Sequence, residues 1–278
     1  SRTSLPEKEL KSWFKSLGFE FKKTRKIIDG ELDLYNSELK LAIEYCGLYW
    51  HTEQFIDKNK HYQKFIECEK LGIQLITIFG DEWSNRKFQI KNHLRSIIQN
   101  NRIYARNCVF QNIDKKIAKD FIETNHIQGL KKIPLHSFGL LYNNELVGVI
   151  SYSLHPRQSN KIVLNRLCFK SGITIVGGAS KLFKNSCKHI PGPIYSWSDN
   201  RYSLGNIYEK LGFKLENNLV PDYSYITPNG QCRIPKQKMK KSNIKCPDNI
   251  TEKEFLKDLG YYRIWDCGKK LWVYNNRQ

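Results

Sequence analysis

Residues able to do chemistry crowd into positions 31–51, where Glu31-Leu32-Asp33-Leu34-Tyr35 is followed by a short turn and then by the run from Leu39 to His51. Read at a period of two, Leu32 and Leu34 face one way while Glu31, Asp33 and Tyr35 face the other. In the second run Leu39, Leu41, Ile43 and Tyr45 share a face, with Lys40, Ala42, Glu44 and Cys46 opposite. A hairpin across residues 36–38 therefore sets Asp33 beside Glu44. Two carboxylates forced together repel, so the pair calls for a divalent cation or a shared proton. His51 follows directly as a proton carrier. Acids and an imidazole on a basic chain predict metal-assisted phosphodiester hydrolysis. A hairpin with its charges on a wet face has the same pattern.

The elements around this stretch are legible too. Ser4 as cap, Pro6, and Glu7 and Glu9 in the first turn mark a helix start; Leu10, Phe14 and Leu17 form its apolar stripe, and Gly18 ends it. Glu7 shares that inward stripe, either as support for the helix start or as a third acid over the hairpin. Residues 59–71 read as a helix carrying His61, Lys64, Glu67 and Cys68, with His61 either facing the same cleft or lying on an exposed helix surface. Residues 73–79 read as a buried strand ending at Gly80-Asp81-Glu82-Trp83, where the two acids cap the next helix (85–99) or stand at the strand's carboxyl end. Helix, hairpin, helix, strand and helix make an α/β unit of ordinary domain size.

Asn100-Asn101-Arg102 is the first polar break and the predicted boundary between residues 1–102 and residues 103–245. Beyond it come a strand-like run (103–113), a helix (114–125), and Asn125-His126-Ile127-Gln128-Gly129, whose side chains read bases, ligate something or merely cap the helix. A hairpin at Asn143-Asn144 joins strands 137–142 and 145–153. Strand 161–170, a helix opened by Gly177-Gly178, strand 194–197 and helix 204–211 follow. Residues 246–278 read as an extension with a helix and an aromatic β-hairpin (261–266 and 270–274).

The 278 residues carry 46 Lys+Arg against 27 Asp+Glu, a formal charge of +19. That excess favours a polyanionic partner, nucleic acid before membrane. With 40% hydrophobic and 13% aromatic residues the chain can bury real cores. The eight cysteines are scattered without a C-x-x-C, which fits reduced thiols in a cytoplasmic compartment. No run is long and apolar enough to span a bilayer and no signal peptide is visible. The chain opens at Ser1 rather than methionine, which leaves room for an upstream module.

Leu5-Pro6-Glu7-Lys8, Glu31-Leu32-Asp33, Ile43-Glu44-Tyr45-Cys46-Gly47-Leu48-Tyr49-Trp50-His51 and residues 73–83 (IQLITIFGDEW) together resemble the very-short-patch-repair (Vsr-like) branch of the PD-(D/E)xK nucleases. With Asn-His-Ile-Gln-Gly downstream, the chain is similar to phage-encoded, Vsr-like homing endonucleases. The resemblance implies an α/β nuclease domain over 1–102, Mg²⁺ (or Mn²⁺) held by Asp33 with Glu44 and Glu7, and cleavage of double-stranded DNA in a bacterial host cytoplasm. It implies catalytic roles for Glu7, Asp33, Glu44 and His51, with His61 as a further candidate; Tyr49 and Trp50 pack as core or wedge against bases. Cys46 departs from the histidine or asparagine of those families, and cysteine is a poor substitute for either.

Residues 103–245 resemble the GNAT acyltransferase fold in strand and helix order, through the Asn143-Asn144 hairpin, the Gly177-Gly178 helix start and Asn206-Ile207-Tyr208-Glu209-Lys210-Leu211-Gly212-Phe213. The resemblance implies acyl-CoA phosphates at Gly177 and Gly178 if the domain is active, and Tyr208 as an acid. The expectation preferred on sequence is a borrowed scaffold that grips DNA through Arg157, Arg166, Lys181, Arg201, Arg233, Lys236, Lys238, Lys240 and Lys241. The leading expectation is a Mg²⁺-dependent, site-selective DNA endonuclease. The alternatives are an acyl-CoA-dependent transferase modifying nucleic acid or protein, and a catalytically silent DNA-binding protein.

Overall fold

The computed structural model describes residues 3–99, 101–130 and 132–275. In chain order its elements are α1 (Leu5–Ser16), β1 (Lys22–Thr24), β2 (Leu32–Asn36), β3 (Leu41–Cys46), α2 (Lys60–Lys70), β4 (Gln74–Phe79) and α3 (Gly80–Ile98). Next are β5 (Arg102–Tyr104), β6 (Val109–Asn112), α4 (Lys115–Asn125), β7 (His136–Tyr142), β8 (Glu145–Leu154), β9 (Ile162–Phe169), β10 (Thr174–Val176) and α5 (Gly178–Ser186). The last are β11 (Ile194–Asp199), α6 (Asn206–Lys210), β12 (Lys214–Leu219), β13 (Tyr223–Ile226), β14 (Arg233–Pro235), α7 (Glu252–Asp258), β15 (Tyr262–Trp265) and β16 (Lys269–Tyr274).

The chain divides into two units. The first takes the described residues up to 85 with 199–204 and 218–269; the second takes 86–198, 205–217 and the described residues from 270. This differs from the consecutive division at 102 and 245. The predicted break begins at Asn100, outside the described residues, and Ser1, where the helix start was sought, is outside them too. Helix α3 instead loses helical geometry at Arg86, where the second unit begins.

In the first unit the strand order is β1-β2-β3-β4, antiparallel except for the parallel pair β3 and β4, which is joined through α2. Helix α1 starts as its sequence predicts, with a Ser4–Glu7 capping box and Pro6 in the first turn. Leu10 and Phe14 bury the apolar stripe, and Glu7 is buried with them. Leu32, Ala42, Phe65, Cys68, Ile73 and Leu75 form the core beneath α2, closed by Cys267 from far along the chain. The wet hairpin face is corrected by this packing: β3 buries residues on both faces, as a strand covered on both sides must.

The second unit is built on a sheet ordered β12-β16-β11-β9-β8-β7-β6. Strands β6 to β9 form an antiparallel meander, while β9 and β11 run parallel. Leu140, Ile150, Tyr152, Leu182, Phe183 and Trp272 are central to its core. The predicted C-terminal aromatic hairpin is corrected here. Strand β15 pairs with β13 in a separate sheet, and β16 lies between β12 and β11. Gly268 at the break has φ +73°, and a Cβ there would sit 2.5 Å from the Leu219 carbonyl oxygen, so only glycine lets the chain turn away.

Candidate functional site

The β2–β3 ladder ends at Leu34 opposite Ile43, and the two acids continue it with their side chains. The Asp33 amide donates to Glu44 Oε1 and the Tyr45 amide donates to Asp33 Oδ2, each at 3.1 Å. Asp33 and Glu44 are thus side by side, as their spacing predicts, with Glu7 close by. Two lysines complete the cluster. Lys23 Nζ lies 3.2 Å from Glu7, 3.0 Å from Glu31 and 3.6 Å from Asp33. Lys64 Nζ lies 2.6 Å from Glu44 and donates to the Glu31 carbonyl at 2.7 Å. Burial, then the neighbouring Asp33, pushes the Glu44 carboxyl up to about 7, against the pull of Lys64. Burial and Glu7 raise Asp33 as well. The sequence offers one signal for Lys64, which stands three residues after His61 and so shares its helix face; for Lys23 it offers no such signal.

His51 and His61 do meet, their rings stacked with centroids 5.1 Å apart. His51 sits in a 3-10 turn (Tyr49–His51) and His61 in the first turn of α2. Burial lowers His51 to about 4 and His61 to about 3, Lys64 adding to the first and His51 and Lys64 to the second. Such imidazoles are neutral at physiological pH and weak as bases. Cys46 Sγ lies 3.8 Å from His61 Nδ1, and its thiol is pushed well up by burial. Tyr49 and Trp50 are exposed rather than core residues, and they touch Phe55.

In the second unit β9 and β11 register at only two pairs, Ile162 with Ile194 and Val163 with Tyr195. Immediately beyond, the Ser196 hydroxyl donates to the Leu164 carbonyl at 2.9 Å and lies 2.9 Å from Tyr208 Oη. The Tyr208 ring stacks on Trp272 at 5.5 Å, and burial raises its phenol. Past the C-terminal end of β9, Gly177 caps α5 with φ +77°, a conformation that favours glycine. A Cβ on Gly178 would come within 2.9 Å of Ile175 and Phe169. Neither Ser196 nor Trp272 stood out in the sequence, since their partners lie from 12 to 74 residues away.

Several expected DNA-contacting cations have protein partners. Arg201, expected at a phosphate, is buried between Glu82 at 2.7 Å and Asp199 at 2.9 Å. Arg233 binds Asp81 and Glu82, so those acids hold arginines at the start of α3. Lys236 pairs with Asp222, Lys241 donates to the Asp248 and Ile250 carbonyls, Lys181 to those of Ala105 and Cys108, and Arg166 to that of Gly129. Arg157, Lys238 and Lys240 are exposed. In the Asn125–Gly129 segment Asn125 accepts the Ser171 amide, His126 is half-buried, and Arg86 grips the His126 and Ile127 carbonyls.

No protein-family model and no curated protein matches this sequence. Solved structures similar to the chain include an aminoglycoside 6'-acetyltransferase type Ii, 14% identical, covering 61% of this chain and 98% of that one with a TM-score of 0.34. A Bacillus subtilis acetyltransferase in complex with CoA is 12% identical over 61% of this chain and 99% of its own, TM-score 0.36. The PaiA N-acetyltransferase from Thermoplasma acidophilum in complex with coenzyme A is 25% identical over 29% of this chain, TM-score 0.25; this chain spans about half of its length (52%). These neighbours are acetyltransferases, and they lend nothing to a Vsr-like nuclease domain or to a phage origin.

The Mg²⁺-dependent endonuclease is therefore corrected, together with its hydrolase chemistry and its Mg²⁺ or Mn²⁺. The carboxylates meant for the metal are compensated by Lys23 and Lys64, and desolvation holds both imidazoles well below the ordinary histidine range. Among the described residues no helix is long and apolar enough to cross a membrane.

Proposed function

We propose that this protein is an acyl-CoA-dependent transferase of GNAT type, acting on an acceptor carried by nucleic acid, with double-stranded DNA as the partner and the cytoplasm as its compartment. The observation that carries the reading is the parting of β9 and β11 after two residue pairs, with the Ser196 and Tyr208 hydroxyls beyond the last pair. Parallel strands that stop pairing leave backbone groups for another occupant, since buried amides and carbonyls need partners. The glycine-opened helix α5 supports it: Gly177 and Gly178 keep side chains away from the start of the helix, where backbone amides suit phosphate oxygens.

Acyl-CoA would supply an activated thioester. The chain's own part is to hold a proton: Tyr208 keeps its phenolic hydrogen because burial raises it, and Ser196 fixes the phenol's position. A phenol so held can donate to a departing thiolate. The charge of +19 supports a polyanionic acceptor, and Arg157, Lys238 and Lys240 are exposed to meet one.

A specific observation favours a second reading, a silent DNA-binding protein. The Ser196 hydroxyl already occupies the Leu164 carbonyl, and Trp272 covers the Tyr208 ring. Calorimetry with acetyl-CoA, followed by thiol release in the presence of duplex DNA, separates the two. The transferase reading expects binding, and release that falls at least about 100-fold in Tyr208→Phe with acetyl-CoA affinity kept. Absence of both binding and release in the wild-type chain, with a salt-sensitive DNA shift retained, establishes the silent binder instead.

A further inference from the structure

Strand β3 ends in Cys46, the 3-10 turn that follows ends in His51, and the first turn of α2 brings His61 back to the same place. One ligand atom from each lies within 4.8 Å of the other two. Cys46 is fully buried, His61 is 7% exposed and His51 is half-buried. Three donors near one another do not by themselves make a site. The second observation is that His51 Nδ1 and His61 Nε2 are buried with no hydrogen-bond partner. A buried imidazole nitrogen left unmatched carries a desolvation cost, so a fold that keeps two of them side by side has a use for them.

We infer that Cys46, His51 and His61 bind a borderline-soft divalent cation, zinc by its chemistry, with a fourth position open on the half-buried His51 side. Thiolate and imidazole are the donors that such an ion prefers, while hard oxygen donors suit magnesium. Tetrahedral zinc places S and N donors roughly 3.3–3.6 Å apart, so ligand atoms that already lie within 4.8 Å of one another need only a modest closing-in. His51, on a short turn, is the ligand free to close in. Zinc takes the place of the Cys46 thiol proton, which leaves as H⁺ to solvent, one per metal bound. Three protein ligands and one open position are the pattern that activates a water molecule. The site is independent of the acyl-transfer reading and uses none of its residues.

The test uses the full chain, stripped with a chelator and dialysed, then titrated with Zn²⁺ alone and with Co²⁺ alone. Elemental analysis is expected to find one metal per chain, and the Co²⁺ form to show a thiolate-to-metal charge-transfer band. Cys46→Ser removes the band. His61→Gln weakens binding by more than the roughly 10- to 100-fold that loss of an outer-shell support costs. Should Cys46→Ser fail to fold, His51→Gln at the half-buried position carries the test, with an unchanged circular dichroism spectrum and the same loss of affinity. Substoichiometric metal overturns the inference, as does a charge-transfer band that survives in Cys46→Ser or undiminished affinity in His51→Gln.

Discussion

At the scale of single residues, pairs that look like chemistry in the sequence turn out to hold the fold. Glu82 is the clearest: burial acts to raise its carboxyl, yet Arg201 and Arg233 hold it at about 2. Its unfolded counterpart titrates near 4.5, so its contribution is complete above that pH and is lost as pH falls toward 2. Glu82→Gln should therefore lower stability at neutral pH by about 3 kcal/mol and flatten the acid limb between those values, read by urea denaturation across pH. An unchanged acid limb would show that the arginines are served by Asp81 and Asp199 alone. Tyr208 belongs to the same scale. Its ring packs on Trp272, so Tyr208→Phe should keep the fold and remove only the hydroxyl beside Ser196.

Elements decide what those residues can reach. The start of α5 depends on glycine for two separate reasons, a left-handed cap at Gly177 and a crowded Cα at Gly178. Gly178→Ala should cost about 1–3 kcal/mol, because its Cβ meets Ile175 and Phe169, and thermal denaturation will read it. Gly177→Ala should cost about 1–2 kcal/mol through backbone strain alone. If α5 receives phosphates, both should also weaken acetyl-CoA binding in calorimetry beyond what their stability loss explains. Equal affinity in the stable fraction of both variants would sever this helix from the proposed cofactor.

Across the whole molecule, the late chain is indispensable to both units. Residues 218–269 supply β13 to β15 and Cys267 to the first unit, and β16 lies inside the second unit's sheet. A chain truncated after residue 217 should lose cooperative unfolding and its near-ultraviolet circular dichroism; a truncated chain that melts like the full one would contradict this. Charge acts at this scale too. With +19 on the chain, duplex DNA affinity should fall steeply with salt, and replacing Arg157, Lys238 and Lys240 by glutamine should shallow the log–log slope by about one for each phosphate no longer neutralised. A salt-independent shift, or none, would remove DNA as partner.

Local pattern determined the Ser4–Glu7 cap, the hairpin that sets Asp33 beside Glu44, the Asn143-Asn144 turn and the glycine start of α5, because each depends on neighbours a few residues apart. His61 beside His51 was foreseeable from a helix face. What local pattern could not determine is what surrounds those groups. Lys23 and Lys64 reach the acids from other elements, Arg201 and Arg233 reach Glu82 across more than a hundred residues, and β16 inserts between strands far from it in sequence. Burial and partner charge fix whether a carboxylate takes a metal or a lysine, and whether an imidazole carries a proton. Both are properties of the packed interior, so only the tertiary structure decided them.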